Sequence, residues 1–276
     1  LPYHLIYQIL GRIFSDGRTH KHIRRTQPLL WRSLFHPPLN GYKCGEDRTW
    51  KLYIIAAEGD KTEYQYFNAL KIKYKEDFRL SNIHVEFIDR KEEEAGNSDP
   101  QYVYKTLLKF YEELKEYKDL QEYDELWMII DTDDYDNRKL TISDLAQKCC
   151  DNPIYKLCIS NPCFEIWLIL HFFDLEISLQ DSIPGNREVT SLKDYIQNQH
   201  IKKRPGICKK LWNMIHQTKK QPSYAQLIQY IPEAITRAKI LGECNPNDPD
   251  YPENKIATGV YKLLEKLTQL SMNLES

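Results

Sequence analysis

Residues 126–130, Leu-Trp-Met-Ile-Ile, are apolar at every position and halt at Asp131. A strand with one wet face alternates polar and apolar side chains. An unbroken run this short therefore predicts a strand covered on both faces, as in a parallel sheet with helices above and below. The surrounding sequence repeats the theme. Lys51–Ala57 (KLYIIAA) is apolar and β-branched up to Glu58-Gly59, residues 62–74 carry Tyr66, Phe67, Leu70 and Tyr74 on one helical side, and residues 83–88 (IHVEFI) alternate as a strand. After a polar loop over 92–99 a helix is predicted, with Ser98 or Asp99 as cap, Pro100 in its first turn, and Val103, Leu107, Phe110, Tyr111 and Leu114 along one face. A helix over 142–149 and a strand over 155–159 come next. Asn161 then reads as the cap of a helix beginning at Pro162, with Phe164, Trp167, Leu168 and His171 at helical spacing. Strand and helix in alternation predict an α/β fold with a parallel sheet flanked by helices.

Three regions follow from this reading: a basic arm at 1–50, an α/β domain at 51–174, and a mostly helical region at 175–276. The arm holds eight Lys and Arg against Asp16, Glu46 and Asp47. The longest apolar stretch, 52–57, is far short of the ~20 residues that span a bilayer, so no membrane segment is expected. Residues 1–14 contain His4 and Arg12 without a small-residue cleavage site, so no leader is expected either. Seven cysteines with no CxxC pair suit free thiols in a reducing cytoplasm. Glycine is scarce, at 10 of 276 residues, and no GxG or GxxxxGK[ST] occurs. A dinucleotide-binding turn and a P-loop are thereby excluded, and phosphate has to be held without a glycine cradle.

In open parallel sheets, functional groups gather at the carboxyl ends of strands. Glu58 closes the first strand, Asp131 and Asp133 close the third, and Glu165 lies just beyond the fourth. Carboxylates two apart in extended chain point to one side, which lets Asp131 and Asp133 share a divalent cation while Thr132 faces elsewhere. Converging carboxylates in a poorly solvated cleft repel by on the order of several kcal/mol unless a cation neutralises them, and magnesium suits oxygen ligands and phosphates. Asp134 and Asp136 read as solvated loop acids.

A formal net charge of −2 predicts no global attraction to nucleic acid. The balance is local, however. Residues 201–222 hold Lys202, Lys203, Arg204, Lys209, Lys210, Lys219 and Lys220 and no acid, with Trp212 among them. Such a cluster suits a phosphate backbone, with Trp212 available to stack on an exposed base.

The order of these features resembles the Toprim domain of topoisomerases, primases and overcoming-lysogenization-defect nucleases. More closely, IIAAEGDKTEYQYF (54–67), LWMIIDTDD (126–134) and ISNPCFEIWLILHF (159–172) resemble the three motifs of the RloB-like family of phage-defence proteins. NPNDPDYPENKIATGVYKLLEKL (245–267) is similar to that family's C-terminal block in a looser form. The resemblance implies a Toprim-like sheet and a metal-dependent nuclease acting on RNA such as tRNA, or on DNA, as an effector of abortive infection. It implies Glu58 as general acid or base, Lys61 as a contact to the scissile phosphate, Asp131 and Asp133 as ligands of Mg²⁺ or Mn²⁺, and Glu165 as a further ligand or the orienter of a metal-bound water. Glu63 would be a cap or a supporting group. A separate ATPase sensor is the implied partner, and self-association into a homo-oligomer stays open. The contrasting expectation is a non-catalytic module that binds nucleic acid or the ATPase.

Overall fold

The computed structural model describes residues 50–59, 61–88, 99–115, 121–133, 135–176, 191–218, 223–248, 251–253 and 255–272. The basic arm up to residue 49, Ser98, Asp134, Lys219 and Lys220 lie outside them. The predicted alternation is present: β1 (Lys51–Ala57), α1 (Thr62–Lys73), α2 (Lys75–Leu80), β2 (Ile83–Phe87), α3 (Pro100–Lys115), β3 (Glu125–Asp131), α4 (Tyr135–Asp151), β4 (Tyr155–Asn161) and α5 (Glu165–Leu170). The C-terminal region adds α6 (Leu192–Gln197), α7 (Arg204–Thr218), α8 (Tyr224–Leu227), α9 (Ile231–Leu241), a short β5 (Ala257–Thr258) and α10 (Val260–Met272).

The strands form one sheet in the order β2-β1-β3-β4-β5. Four are parallel, as the apolar runs predict. The fifth departs from that expectation: β5 runs antiparallel to β4, pairing Ser160 with Thr258. It comes from the region read as helical, and two residues carry too little pattern to be seen in sequence.

Alternation within the strands builds two cores. Leu52, Ile54 and Ala56 of β1 with Leu126, Met128 and Ile130 of β3 pack against Val103 and Leu107 of α3 and Ile142 and Leu145 of α4. The intervening Tyr53, Ile55, Ala57, Trp127 and Ile129 face α1, α5 and helices of the C-terminal region, including Leu211, Ala234 and Leu263. Each large apolar side chain removed from water contributes roughly 1.5–3 kcal/mol, so covering both faces fixes the sheet firmly.

A buried polar relay ties α1 to α5. His171 Nδ1 lies 2.9 Å from the Trp167 carbonyl, which only accepts, so Nδ1 carries the proton and Nε2 accepts from Tyr66 Oη at 3.1 Å. Complete burial pushes the imidazole down to about 3, so it stays neutral. The two helices that carry Glu63 and Glu165 are thereby held side by side.

Two local expectations need correction. The helix after β3 begins at Tyr135, well before the position that the apolar spacing suggests, and places Asp136 in its first turn. Asn161 does not cap a helix: it ends β4, and α5 begins at Glu165 after Phe164. Its side-chain amide instead donates to the carbonyls of Pro252 (2.8 Å) and Lys255, pinning the C-terminal loop to the strand end.

Candidate active site

Parallel register brings the carboxyl ends of β1, β3 and β4 level. Ala57 lies beside Ile129, and Asp131 beside Ser160. Glu58 follows β1 directly, with its amide bonded to the Ile129 carbonyl at 3.0 Å. Its carboxylate turns across to β3, where Oε2 accepts from the Asp131 amide at 3.1 Å. Glu165 enters from the first turn of α5, and Glu63 from the first turn of α1. Glu58, Glu63, Asp131 and Glu165 are 6, 6, 8 and 9% exposed, so this acidic edge is withdrawn from water rather than displayed to it.

Asp133 does not continue the strand. Its φ of 40° puts it in the left-handed region, with its amide donating to the Pro162 carbonyl at 2.9 Å. The expected extended Asp131-Thr132-Asp133 geometry is therefore a strand end followed by a turn, which tolerates Asp better than most residues. Asp133 Oδ1 is buried without a hydrogen-bond partner. Thr132 faces away, as its place between the two acids implies, and its Oγ1 meets Tyr251 Oη at 2.8 Å.

The ionisation of these groups reflects their crowding. Burial lifts Glu58 to about 7, against the pull of Arg138 and the Asp131 amide. Burial likewise lifts Glu63 to about 7, with Glu165 and Glu58 adding to it. Asp131 is raised well above the ordinary carboxyl range, first by burial and then by Asp133, Glu58, Glu63 and Glu165. Perturbed carboxyls in a cluster are a hallmark of functional sites.

Two positive side chains answer this charge. Arg138, one turn into α4, places Nη1 2.7 Å from Glu58 Oε1 and 3.1 Å from the Asp131 carbonyl, and Nη2 3.7 Å from Asp133 Oδ2. Arg138 thus sets positive charge against the acidic edge, and the reading of the sequence missed it. The signal was present: a helix that follows a parallel strand aims its first turns back at the strand end, but the helix was expected to start beyond Arg138. Lys209 of α7 is the second. Partial burial lowers its pKa, and Asp133, Glu165 and Asp131 outweigh that and hold it above the usual lysine value.

The remaining basic residues divide. Lys61 is exposed at the start of α1, and Lys202, Lys203 and Lys210 are exposed near the start of α7. Lys202 Nζ lies 3.6 Å from Asp136 Oδ2, which ties the basic segment to α4. Arg204 is not a surface cation: it is 5% exposed and donates to the carbonyls of Gln199 (3.0 Å), Pro252 (3.2 Å) and Gln197 (2.5 Å). Its donors are turned to backbone oxygens, so the phosphate contact expected of it is corrected to a structural one. Trp212 is also buried, packed against His216, and presents no face on which a base can stack. Glu63, expected as a cap or a supporting group, packs beside the acidic cluster, and its carboxylate lies over Gly59, where a Cβ would come within 2.0 Å of Oε2.

Among the described residues, no group of three or more His, Cys, Asp or Glu side chains is placed to hold a metal ion. The donors present are nonetheless hard oxygens, and the buried Asp133 Oδ1 lacks a hydrogen-bond partner.

The sequence profile described as RloB-like protein matches residues 53–267. No curated protein and no solved structure matches the chain.

Proposed function

The chain belongs to the RloB-like protein family, and from that premise we propose that it is a metal-dependent nuclease serving as an effector of antiviral defence. The observation that carries this reading is the convergence of Glu58, Asp131, Asp133 and Glu165 from three strand ends onto one edge, with Lys209 beside them.

In this reading Asp131, Asp133 and Glu165 would hold Mg²⁺ or Mn²⁺. When bound, the ion supplies charge neutralisation at the phosphate and a more acidic water. Glu58 accepts the proton of the attacking water: a carboxyl lifted to about 7 is matched to that task near neutral pH. The Asp131 amide and Arg138 orient its two oxygens. Lys209 and Lys61 stabilise charge on the phosphate, and Lys202, Lys203 and Lys210 hold the flanking backbone of RNA or DNA. Contacts of this kind carry no base readout, which fits a backbone-directed cut. Residues 1–276 contain no P-loop, a separate ATPase is the partner proposed for an ATP-driven trigger, and the cytoplasm is where such an effector meets its targets.

The test is incubation of total tRNA, single-stranded DNA and plasmid with Mg²⁺ or Mn²⁺. Asp131→Asn and Glu58→Gln should each lower the cleavage rate by about 10²–10⁴ with unchanged folding. Cleavage that survives both substitutions sinks the proposal. Full phage resistance in Asp133→Ala would instead favour the non-catalytic module.

A further inference from the structure

We propose that the outer edge of β2 is a self-complementary dimerisation surface, on which a second copy of this chain lays its own β2 antiparallel, so that one sheet runs through both copies. β2 ends the sheet order, and among the described residues no strand pairs with its outer side. Its register on β1 decides which backbone groups are turned outward. Lys51 donates its amide to the Asn82 carbonyl and Ile88 donates its amide to the Ile55 carbonyl, each at 2.9 Å. Groups turned to one neighbour alternate along a strand, so the even-numbered residues of β2 serve β1, while Ile83, Val85 and Phe87 present their N–H and C=O groups outward. The strand has no Pro, Gly or Lys of its own to blunt that edge.

A two-fold axis at Val85 matches these groups to themselves. Val85 faces the partner's Val85, and Ile83 faces the partner's Phe87, each as a hydrogen-bonded pair. One face of the ribbon then sets apolar against apolar, since Ile83 and Val85 belong to the core and Phe87 packs against it. On the other face His84 falls opposite the partner's Glu86, where side chains approach most closely. These two side chains are 30 and 28% exposed. Glu86 already accepts from Lys71 Nζ at 3.1 Å and lies 2.6 Å from His84 Nε2. A carboxylate has about four acceptor sites, so it can take the partner's imidazole too. The neighbouring registers that keep outward groups opposed would set His84 against itself or Glu86 against itself, so charge selects this one. Because the joined strands run antiparallel, the acidic edges of the two copies open at opposite ends of the common sheet. Pairing of this kind needs neither metal nor substrate.

Sedimentation velocity of the full chain over a concentration series tests the proposal. Wild type should dimerise with a Kd of about 1–100 µM, in keeping with a small interface. A chain that stays monomeric up to about 100 µM overturns the inference. Val85→Pro deletes an outward amide and leaves the β1 ladder intact, so it should fold as wild type by circular dichroism and dimerise at least about tenfold more weakly. An unchanged Kd in that variant places the dimer elsewhere and overturns the inference. His84→Glu, which decides the matter if the Pro variant fails to fold, sets like charges opposite twice over and should weaken dimerisation at least about fivefold. Adding Glu86→His to it should recover part of that loss. Indifference to His84→Glu, or no recovery in the double variant, overturns the proposed pairing.

Discussion

At the scale of the residue, the turn after β1 shows how one position constrains a neighbour one helical turn further along the chain. Glycine at 59 lets the Glu63 carboxylate fold back over the turn, into the space that a Cβ would take. Gly59→Ala should therefore destabilise by about 1–3 kcal/mol, the usual cost of overpacking, in urea or guanidinium unfolding. A variant as stable as wild type would contradict this. Glu58, Asp131 and Glu165 were legible in the sequence because strand ends in a parallel sheet have known positions. Arg138 was not, since it reaches the site from a helix whose start the apolar spacing misplaced. Arg204 shows the converse problem. Its charge is visible in sequence, but whether it faces water or three carbonyls is decided by the Pro252 loop, far along the chain.

At the scale of the element, α7 and the short 3₁₀ turn before it combine two kinds of cation. Arg204→Met should cost about 2–4 kcal/mol, because several carbonyls lose charge-assisted partners in a buried setting. Lys203→Ala and Lys210→Ala should stay within about 0.5 kcal/mol of wild type in melting experiments. The same lysine substitutions should weaken nucleic-acid binding evenly across sequences and lower the salt slope by about 1 each, whereas a sequence-selective effect would contradict a backbone contact. The strands and α1 were legible because their apolar periods are strong. The start of α4 was obscured by a polar opening, Tyr135-Asp136-Asn137, whose residues suit a loop as well as a first helical turn. The true end of β4 was hidden by Asn-Pro, which reads as a helix start and here serves a strand end.

At the scale of the whole molecule, the acidic edge makes stability depend on pH. Glu58 and Glu63, each raised to about 7, and Asp131, also raised, bind protons more tightly in the folded chain than in the unfolded one. Their contribution is fully present below their ordinary carboxyl values, and that of Glu58 and Glu63 is lost as pH rises through about 7. His171, lowered to about 3, acts in the opposite sense, and its contribution fades as pH falls below its ordinary 6.5. Three carboxyls outweigh one imidazole, so without divalent cations the melting temperature should be higher at pH 5 than at pH 8. Below pH 4.5 the trend reverses: Glu86 sits at about 2, where His84 and Lys71 outweigh its burial, and it loses those partners as it protonates. Glu63→Gln should raise the melting temperature at pH 8 more than at pH 5, and equal effects at both would show that the carboxyl is not strained. The balanced net charge gave no hint of this, because composition cannot tell a buried acid from a solvated one.

The pinning of Asn161 by the Pro252 carbonyl joins residues 91 positions apart. A ribosome adding about 5–20 residues per second therefore releases the acidic strand ends roughly 5–20 s before the loop that braces them. During that interval the nascent chain carries the carboxylates of the site but lacks their final support. Timing alone thus delays the assembly of a finished centre until synthesis has passed the C-terminal loop, a safeguard suited to the nuclease proposed above, whose targets would include the nucleic acid of the cell that makes it.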